Sequence, residues 1–171
     1  MNTAESILVT GAAGFIGSHL VERLLRDGHR VVGLDNFDPF YAPDEKRRNL
    51  KTAAAHQNFR LIEVSCQDVA SGAGALEDQR FDVIVHLAAK AGVRPSIEDP
   101  SGYAVSNIMG TQAMLELARR HSVRRFVFGS SSSVYGNAAR VPFVETAFAI
   151  LGGVAWLVAK GERALGSRRP A

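Results

Sequence analysis

Short, unbroken apolar runs alternate along the chain with stretches whose apolar residues recur at helical spacing. Ile7-Leu8-Val9-Thr10 is rich in β-branched residues and ends at Gly11, the pattern of a buried strand. Phe15 to Arg26 carries Phe15, Ile16, Leu20, Leu24 and Leu25 as a helical stripe, and Gly28 stops it. Arg30 to Asp35 predicts a second strand, and Asn36 to Pro43 a loop with two prolines. Asp44 to His56 predicts a polar helix capped by Asp44. Phe59 to Val64 predicts a third strand, Ala70 to Gln79 a weakly patterned helix, and Phe81 to Leu87 a fourth strand. Tyr103 to His121 predicts a long helix through Val105, Ile108, Met109, Met114, Leu115 and Leu117. Arg125 to Gly129 predicts a fifth strand.

Five apolar strands separated by helices imply an α/β fold, a doubly wound parallel sheet covered by helices on both faces. In such sheets ligands sit beyond the carboxyl ends of the strands, where the strand order switches. Gly11, Asp35, Asp68, Leu87 to Lys90 and Ser130 to Ser133 all fall at predicted strand ends.

Composition excludes more than it adds. The chain has 171 residues, 46% hydrophobic and 22% charged, the usage of one ordinary globular domain. A disordered tail, a collagen-like fibre and a disulfide scaffold are excluded. The single cysteine, Cys66, has no internal partner to bridge, which points to a reducing, cytoplasmic compartment. The longest apolar run, Phe148 to Ala159, is 12 residues with two glycines, short of the roughly 20 that span a membrane. The first six residues lack the basic start of a secretory signal. The net charge of +3 comes from residues 147–171, where Lys160, Arg163, Arg168 and Arg169 face Glu162 alone. The rest of the chain is neutral and predicts no basic face for nucleic acid.

Gly11-Ala-Ala-Gly14-Phe15-Ile16-Gly17 spans the first strand–helix junction with glycines three apart. One glycine allows the tight turn, the second a close approach to a pyrophosphate, the third close packing of helix on strand. Amides at the helix start then face an anion. Glycine also marks plain tight turns, so the context decides. The loop follows a strand, opens a helix, and precedes Asp35, 18 residues beyond Gly17 at the end of the second strand. That spacing suits a carboxylate on an adenosine ribose. A carboxylate repels a 2′-phosphate, and Asn36 and Phe37 follow Asp35 with no arginine, so NAD is expected over NADP.

These residues resemble the extended short-chain dehydrogenase/reductases. Gly11 to Leu20, Leu34-Asp-Asn-Phe37, His86 to Pro100 and Ser131-Ser-Ser-Val-Tyr-Gly136 are similar to nucleotide-sugar epimerases, most of all UDP-glucuronate 4-epimerases. The resemblance covers residues 6 to about 146. It implies a Rossmann-type fold in three layers and an NAD-dependent 4-epimerase acting on a UDP-sugar by transient hydride transfer through a 4-keto intermediate, as a homodimer. It implies that Gly11, Gly14, Phe15, Ile16 and Gly17 hold the pyrophosphate, Asp35 and Asn36 the adenosine ribose, and Asp68 and Val69 the adenine border. Leu87, Ala88, Ala89 and Lys90 would line the nicotinamide side, and Asn107 would organise the site. Ser131 would bond the sugar 4-hydroxyl; serines 130 to 133 also suit an ordinary hydrogen-bonded strand end. No acid precedes Val134-Tyr-Gly, which argues against dehydration and decarboxylation and for epimerisation.

The family chemistry needs a Tyr-x-x-x-Lys pair on one helical face. Its lysine lowers the phenol pKa so that the tyrosine can take the 4-hydroxyl proton. After Thr146 the likeness ends. Counted in register from Val134-Tyr135, the tyrosine place holds Trp156 and the lysine place Lys160. An indole N–H donates and cannot serve as a base. A change of reading frame, a pseudoenzyme and a non-homologous helical tail are three open origins. They leave a noncatalytic NAD(H)-binding module, or an inactive fragment, as alternatives to an active epimerase. The expected organisation is an NAD-binding domain over residues 1–146 and a divergent, helical tail over 147–171, without the usual C-terminal substrate domain. The five histidines show no metal spacing, so no metal site is expected. His86 reads as a satisfied interior histidine, Cys66 as packing, and Asp44 to Arg48 as a solvated helix face. Arg94 is open between a sugar-acid ligand and a solvated loop residue.

Overall fold

The structure, a computed structural model, describes residues 3–69, 76 and 78–135. The chain divides into two units, residues 1–129 and 130–171. The first begins with β1 (Ser6–Thr10), α1 (Phe15–Arg26), β2 (Arg30–Asp35), α2 (Pro43–Asn49), α3 (Lys51–Ala54) and β3 (Phe59–Glu63). It continues with α4 (Cys66–Val69), β4 (Val83–His86), α5 (Val93–Glu98), α6 (Pro100–Tyr103), a π-helical turn (Ala104–Met109), α7 (Gly110–Arg120) and β5 (Arg125–Phe128). Within the second unit the described residues hold a 3-10 turn, Ser132–Tyr135. The expected boundary at residue 146 and the tail beyond it lie outside the described residues, as does most of the expected helix over 70–79.

Among the described residues all strand pairings are parallel, in the order β3-β2-β1-β4-β5. The chain builds outward from β1 to β3, then crosses to the other side of β1 for β4 and β5. The order therefore switches between β1 and β4, where Thr10 stands opposite His86.

The period of two along β1 sorts its side chains into two cores. Ile7 and Val9 join Val21 and Leu25 of α1, Val31 of β2, Ala53 of α3, and Leu50 between α2 and α3 on one face. Leu8 joins Val32, Leu34, Ile62, Ile84, Met114 and Leu117 on the other, under α7. Each fully buried leucine or valine adds roughly 1.5–3 kcal/mol. The three layers expected from the sequence follow from this alternation. At the amino rim of the sheet, the Asp82 carboxylate accepts the Ser6 N–H at 2.9 Å and an Arg124 N–H at 2.8 Å.

Four expectations need correction. The helix expected over Asp44 to His56 starts one residue earlier, at Pro43, and breaks into α2 and α3 at Leu50. Proline's fixed φ suits a first helical position, so no Asp44 cap forms. Leu50 leaves the helix at ψ 0° and sinks into the core. The stripe on α1 is shifted too: Phe15 and Ile16 are 78% and 68% exposed, and Gly17, Ser18, Val21 and Leu25 face the sheet. The small residues let α1 approach β1 closely. The long helix begins at Pro100, before Tyr103, and passes through the π turn before α7. Arg94 lies on α5, an exposed helix rather than a loop.

Candidate functional site

The end of β1 turns on Gly11, whose φ of +67° is the left-handed region. Its N–H donates to Leu34 O at 2.8 Å, which ties the turn to β2. A Cβ on Gly11 would meet Ala88 N at 2.9 Å, and one on Gly17 would meet Gly11 O at 2.0 Å. Only bare backbone fits at either place. No side chain caps α1 and no acid stands in its first turn, so nothing of the helix's own answers its leading amides. The loop thus offers amides and a positive helix end, the donor set that a pyrophosphate requires. Beside it opens a cavity of about 430 Å³ lined by Ala13, Gly14, Phe15, Tyr41, Lys46 and Arg48 among others.

Asp35, at the end of β2, is 5% exposed. Its Oδ2 accepts the Ala13 N–H at 3.0 Å, and its Oδ1 accepts the Phe37 N–H at 2.9 Å and Lys46 Nζ at 3.3 Å. Lys46 is itself buried, which corrects the expected solvated face over Asp44 to Arg48. A signal for this was present: Lys46, Leu50 and Ala53 are spaced by four and three residues, and all three are buried. Three donors leave the carboxylate room for about one further hydrogen bond. Asn49 Nδ2 donates to Ala13 O at 3.0 Å, a second tie between α2 and the glycine loop. Asn36, exposed, donates to Ser65 Oγ at 3.0 Å. Asp68 is exposed on α4, and Val69 packs against the second core.

The end of β4 is held differently. Thr10 Oγ1 accepts the N–H groups of Leu87 and Ala88 at 3.2 and 3.1 Å. Asn107, in the π turn, accepts the Lys90 N–H at 2.8 Å and donates to Lys90 O at 3.0 Å. A π turn widens the helix locally and is common at functional sites. Lys90 therefore joins this segment through its backbone. Its ammonium points to Asp99 at 3.2 Å, which raises its pKa and helps hold the Asp99 carboxyl low, after the Gly102 N–H. Ala89 is exposed in the same segment. The structure thus gathers Gly11, Asp35 and the Leu87–Lys90 segment along the carboxyl ends of β1, β2 and β4, with Asn107 bonded to that segment.

Ser131 belongs to the second unit, where its carbonyl accepts the Val134 N–H at 3.2 Å. Trp156 and Lys160 lie outside the described residues. Among the described residues no three His, Cys, Asp or Glu side chains form a metal-binding group. No described helix is long and apolar enough to cross a membrane.

A family described as GDP-mannose 4,6 dehydratase matches residues 8–149. The chain belongs to that family of extended short-chain dehydrogenase/reductases. A probable UDP-glucuronate 4-epimerase of Rhizobium meliloti is 40% identical over 138 residues, covering 81% of this chain and 40% of its own. UDP-glucuronate 4-epimerase 3 of Arabidopsis thaliana is 42% identical, covering 82% of this chain and 33% of its own. The crystal structure of UDP-glucuronic acid 4-epimerase from Bacillus cereus, in complex with UDP-glucuronic acid and NAD, superposes with a TM-score of 0.75 at 32% identity. That match covers 93% of this chain and 52% of the Bacillus chain. The family member therefore spans about half or less of the length of these relatives. Its five-stranded parallel sheet is the Rossmann-like fold of the solved epimerases.

Proposed function

We propose that this chain carries the NAD-binding part of a nucleotide-sugar 4-epimerase of the UDP-glucuronate type. The observation that carries the reading is the glycine turn at Gly11–Gly17, with no room for a Cβ at Gly11 or Gly17, beside the buried Asp35 carboxylate. Phe15, Ile16 and Gly17 would present amides to the pyrophosphate, Gly11 and Gly14 would let it approach the backbone, and Asp35 would offer its remaining acceptor to an adenosine ribose hydroxyl. Asp68 and Val69 would border the adenine, and Leu87 to Lys90 the nicotinamide side, with Asn107 bracing Lys90. Bound there, NAD supplies a hydride acceptor and donor next to a sugar carbon. The relatives named as UDP-glucuronate 4-epimerases support that sugar class and that cofactor. By resemblance Ser131 bonds the sugar 4-hydroxyl and Lys160 carries the positive charge that aids proton removal.

Trp156 favours a second reading, a noncatalytic NAD(H)-binding module, because an indole cannot accept the 4-hydroxyl proton. A homodimer belongs to the same proposal. Val105, Ile108 and Met109 on the π turn are exposed apolar residues that suit a partner surface. So does a cytoplasmic location, supported by one unbridged cysteine.

The test is a titration with NADH while exciting Trp156, the only tryptophan. Saturable energy transfer, matched by calorimetry, is expected. No NADH binding by either method would overturn the cofactor reading. Epimerisation of UDP-glucuronate by Trp156→Tyr, and not by the parent chain, would identify the missing phenol as the limit. Turnover by the parent chain would remove the noncatalytic reading.

A further inference from the structure

His86 ends β4, is 1% exposed, and has no part in the proposed chemistry. Its Nδ1 lies 2.7 Å from Thr10 Oγ1 and its Nε2 3.0 Å from Thr111 Oγ1. The direction of each proton follows from partners that have no choice. The Asn107 carbonyl can only accept, so the Thr111 hydroxyl donates to it, at 2.6 Å. Thr111 Oγ1 must then accept from His86 Nε2–H. At the other end, Thr10 Oγ1 accepts the Ala88 N–H and shares the Leu87 N–H with the Thr10 carbonyl, which it reaches at 3.3 Å, so the hydroxyl oxygen is already an acceptor twice over. The Thr10 proton is left for His86 Nδ1. The Cys66 thiol also lies against this hydroxyl, but burial pushes its pKa up to about 12. It stays neutral, and a neutral thiol is a weak acceptor beside an imidazole nitrogen. Both ends require the same neutral ring, protonated at Nε2 alone.

These bonds close a circuit. It runs from the Leu87 and Ala88 amides through Thr10, His86 and Thr111 to Asn107, whose side chain returns to both backbone groups of Lys90. We infer that His86, held as its Nε2–H tautomer, is a positioning residue that fixes the Leu87–Lys90 segment to the Asn107 turn and so shapes the nicotinamide half of the cofactor site. The inference rests on the proposed NAD reading.

The full chain and three variants test it, with NADH and ADP as calorimetric ligands. ADP carries only the adenosine and pyrophosphate half. His86→Asn keeps an acceptor near Thr10 and removes the Nε2 donor. Thr111→Val removes the same bond from the other side, and Thr111→Ser keeps the hydroxyl. His86→Asn and Thr111→Val should each weaken NADH about tenfold, the effect of roughly one buried hydrogen bond, with ADP unchanged. The double variant should be no weaker than either single one, because both cut one link. Thr111→Ser should bind as the parent does, and ¹⁵N resonances of His86 should show Nε2–H. Equal losses of NADH and ADP, unchanged NADH in both variants, or an Nδ1–H ring would overturn the inference. Should His86→Asn fail to fold, Thr111→Val and the ring tautomer decide it. A parent chain that binds neither ligand removes the NAD reading and this inference together; one that binds both, with variants that bind both equally well, removes this inference alone.

Discussion

The ends of β1 and β4 are neighbours in the sheet and are finished in opposite materials. β1 ends in backbone: glycines pack so closely that a Cβ at Gly17 would sit 2.0 Å from Gly11 O. β4 ends in side chains: His86, with Thr10, Thr111 and Asn107, passes hydrogen bonds among four elements. The backbone end is intolerant, since any added atom meets main chain that cannot yield. The side-chain end is cooperative, since its members fail as a group. A site built from both has one half set by sterics and the other by protons.

Gly17→Ala attacks the steric half and should have the largest effect. Overpacking against main chain is expected to cost about 3 kcal/mol or more and to abolish NADH binding, read by thermal unfolding and calorimetry. An alanine variant that folds and binds normally would break the contrast. Acid attacks the proton half. Burial pushes the His86 pKa down to about 4, from 6.5 for an ordinary histidine. As pH falls the unfolded chain takes the proton first. The His86 contribution is therefore fully present above about pH 6.5 and lost as pH falls towards 4, by up to about 3 kcal/mol. Denaturant titrations across that window should show the slope in the parent chain and a shallower one in His86→Asn. Equal slopes would mean the imidazole is not held neutral. Lys46→Met probes the join between β2 and α2. It leaves the buried Asp35 carboxylate with its two backbone donors but no counter-charge, and should cost about 2 kcal/mol and weaken NADH. An unchanged midpoint in urea would show that the two N–H groups suffice. Asn49→Ala removes one tie to the glycine loop and should cost about 1 kcal/mol, with at most a few-fold change in NADH affinity.

The same contrast governs what the sequence discloses. Gly11, Gly14 and Gly17 are legible because turn, close approach and helix packing are local demands on neighbouring residues. Alternating apolar runs likewise disclose the five parallel strands, each correct to within two residues at either end. Asp35 is legible by its distance from the glycines, but its pairing with Lys46 reads as solvent charge unless the inward spacing of Lys46, Leu50 and Ala53 is followed. His86 reads correctly as an interior residue, while its partners do not. Thr10 is 76 residues away and Thr111 is 25, and a hydrogen bond between distant side chains leaves no periodic trace. The π turn is hidden for a related reason, since one extra residue in a helix barely alters an apolar stripe. The Trp156 and Lys160 places rest on sequence register alone.

That extra residue has a consequence of its own. An α-helix advances about 100° per residue, so winding the same residues over Ala104–Met109 as an ordinary helix would turn Thr111 by a quarter turn or more away from His86. Most helices carry such a rotation to an exposed far end. Here the change would register in a different strand, as an imidazole without its acceptor, which makes this stretch of helix a ruler whose length is read by His86.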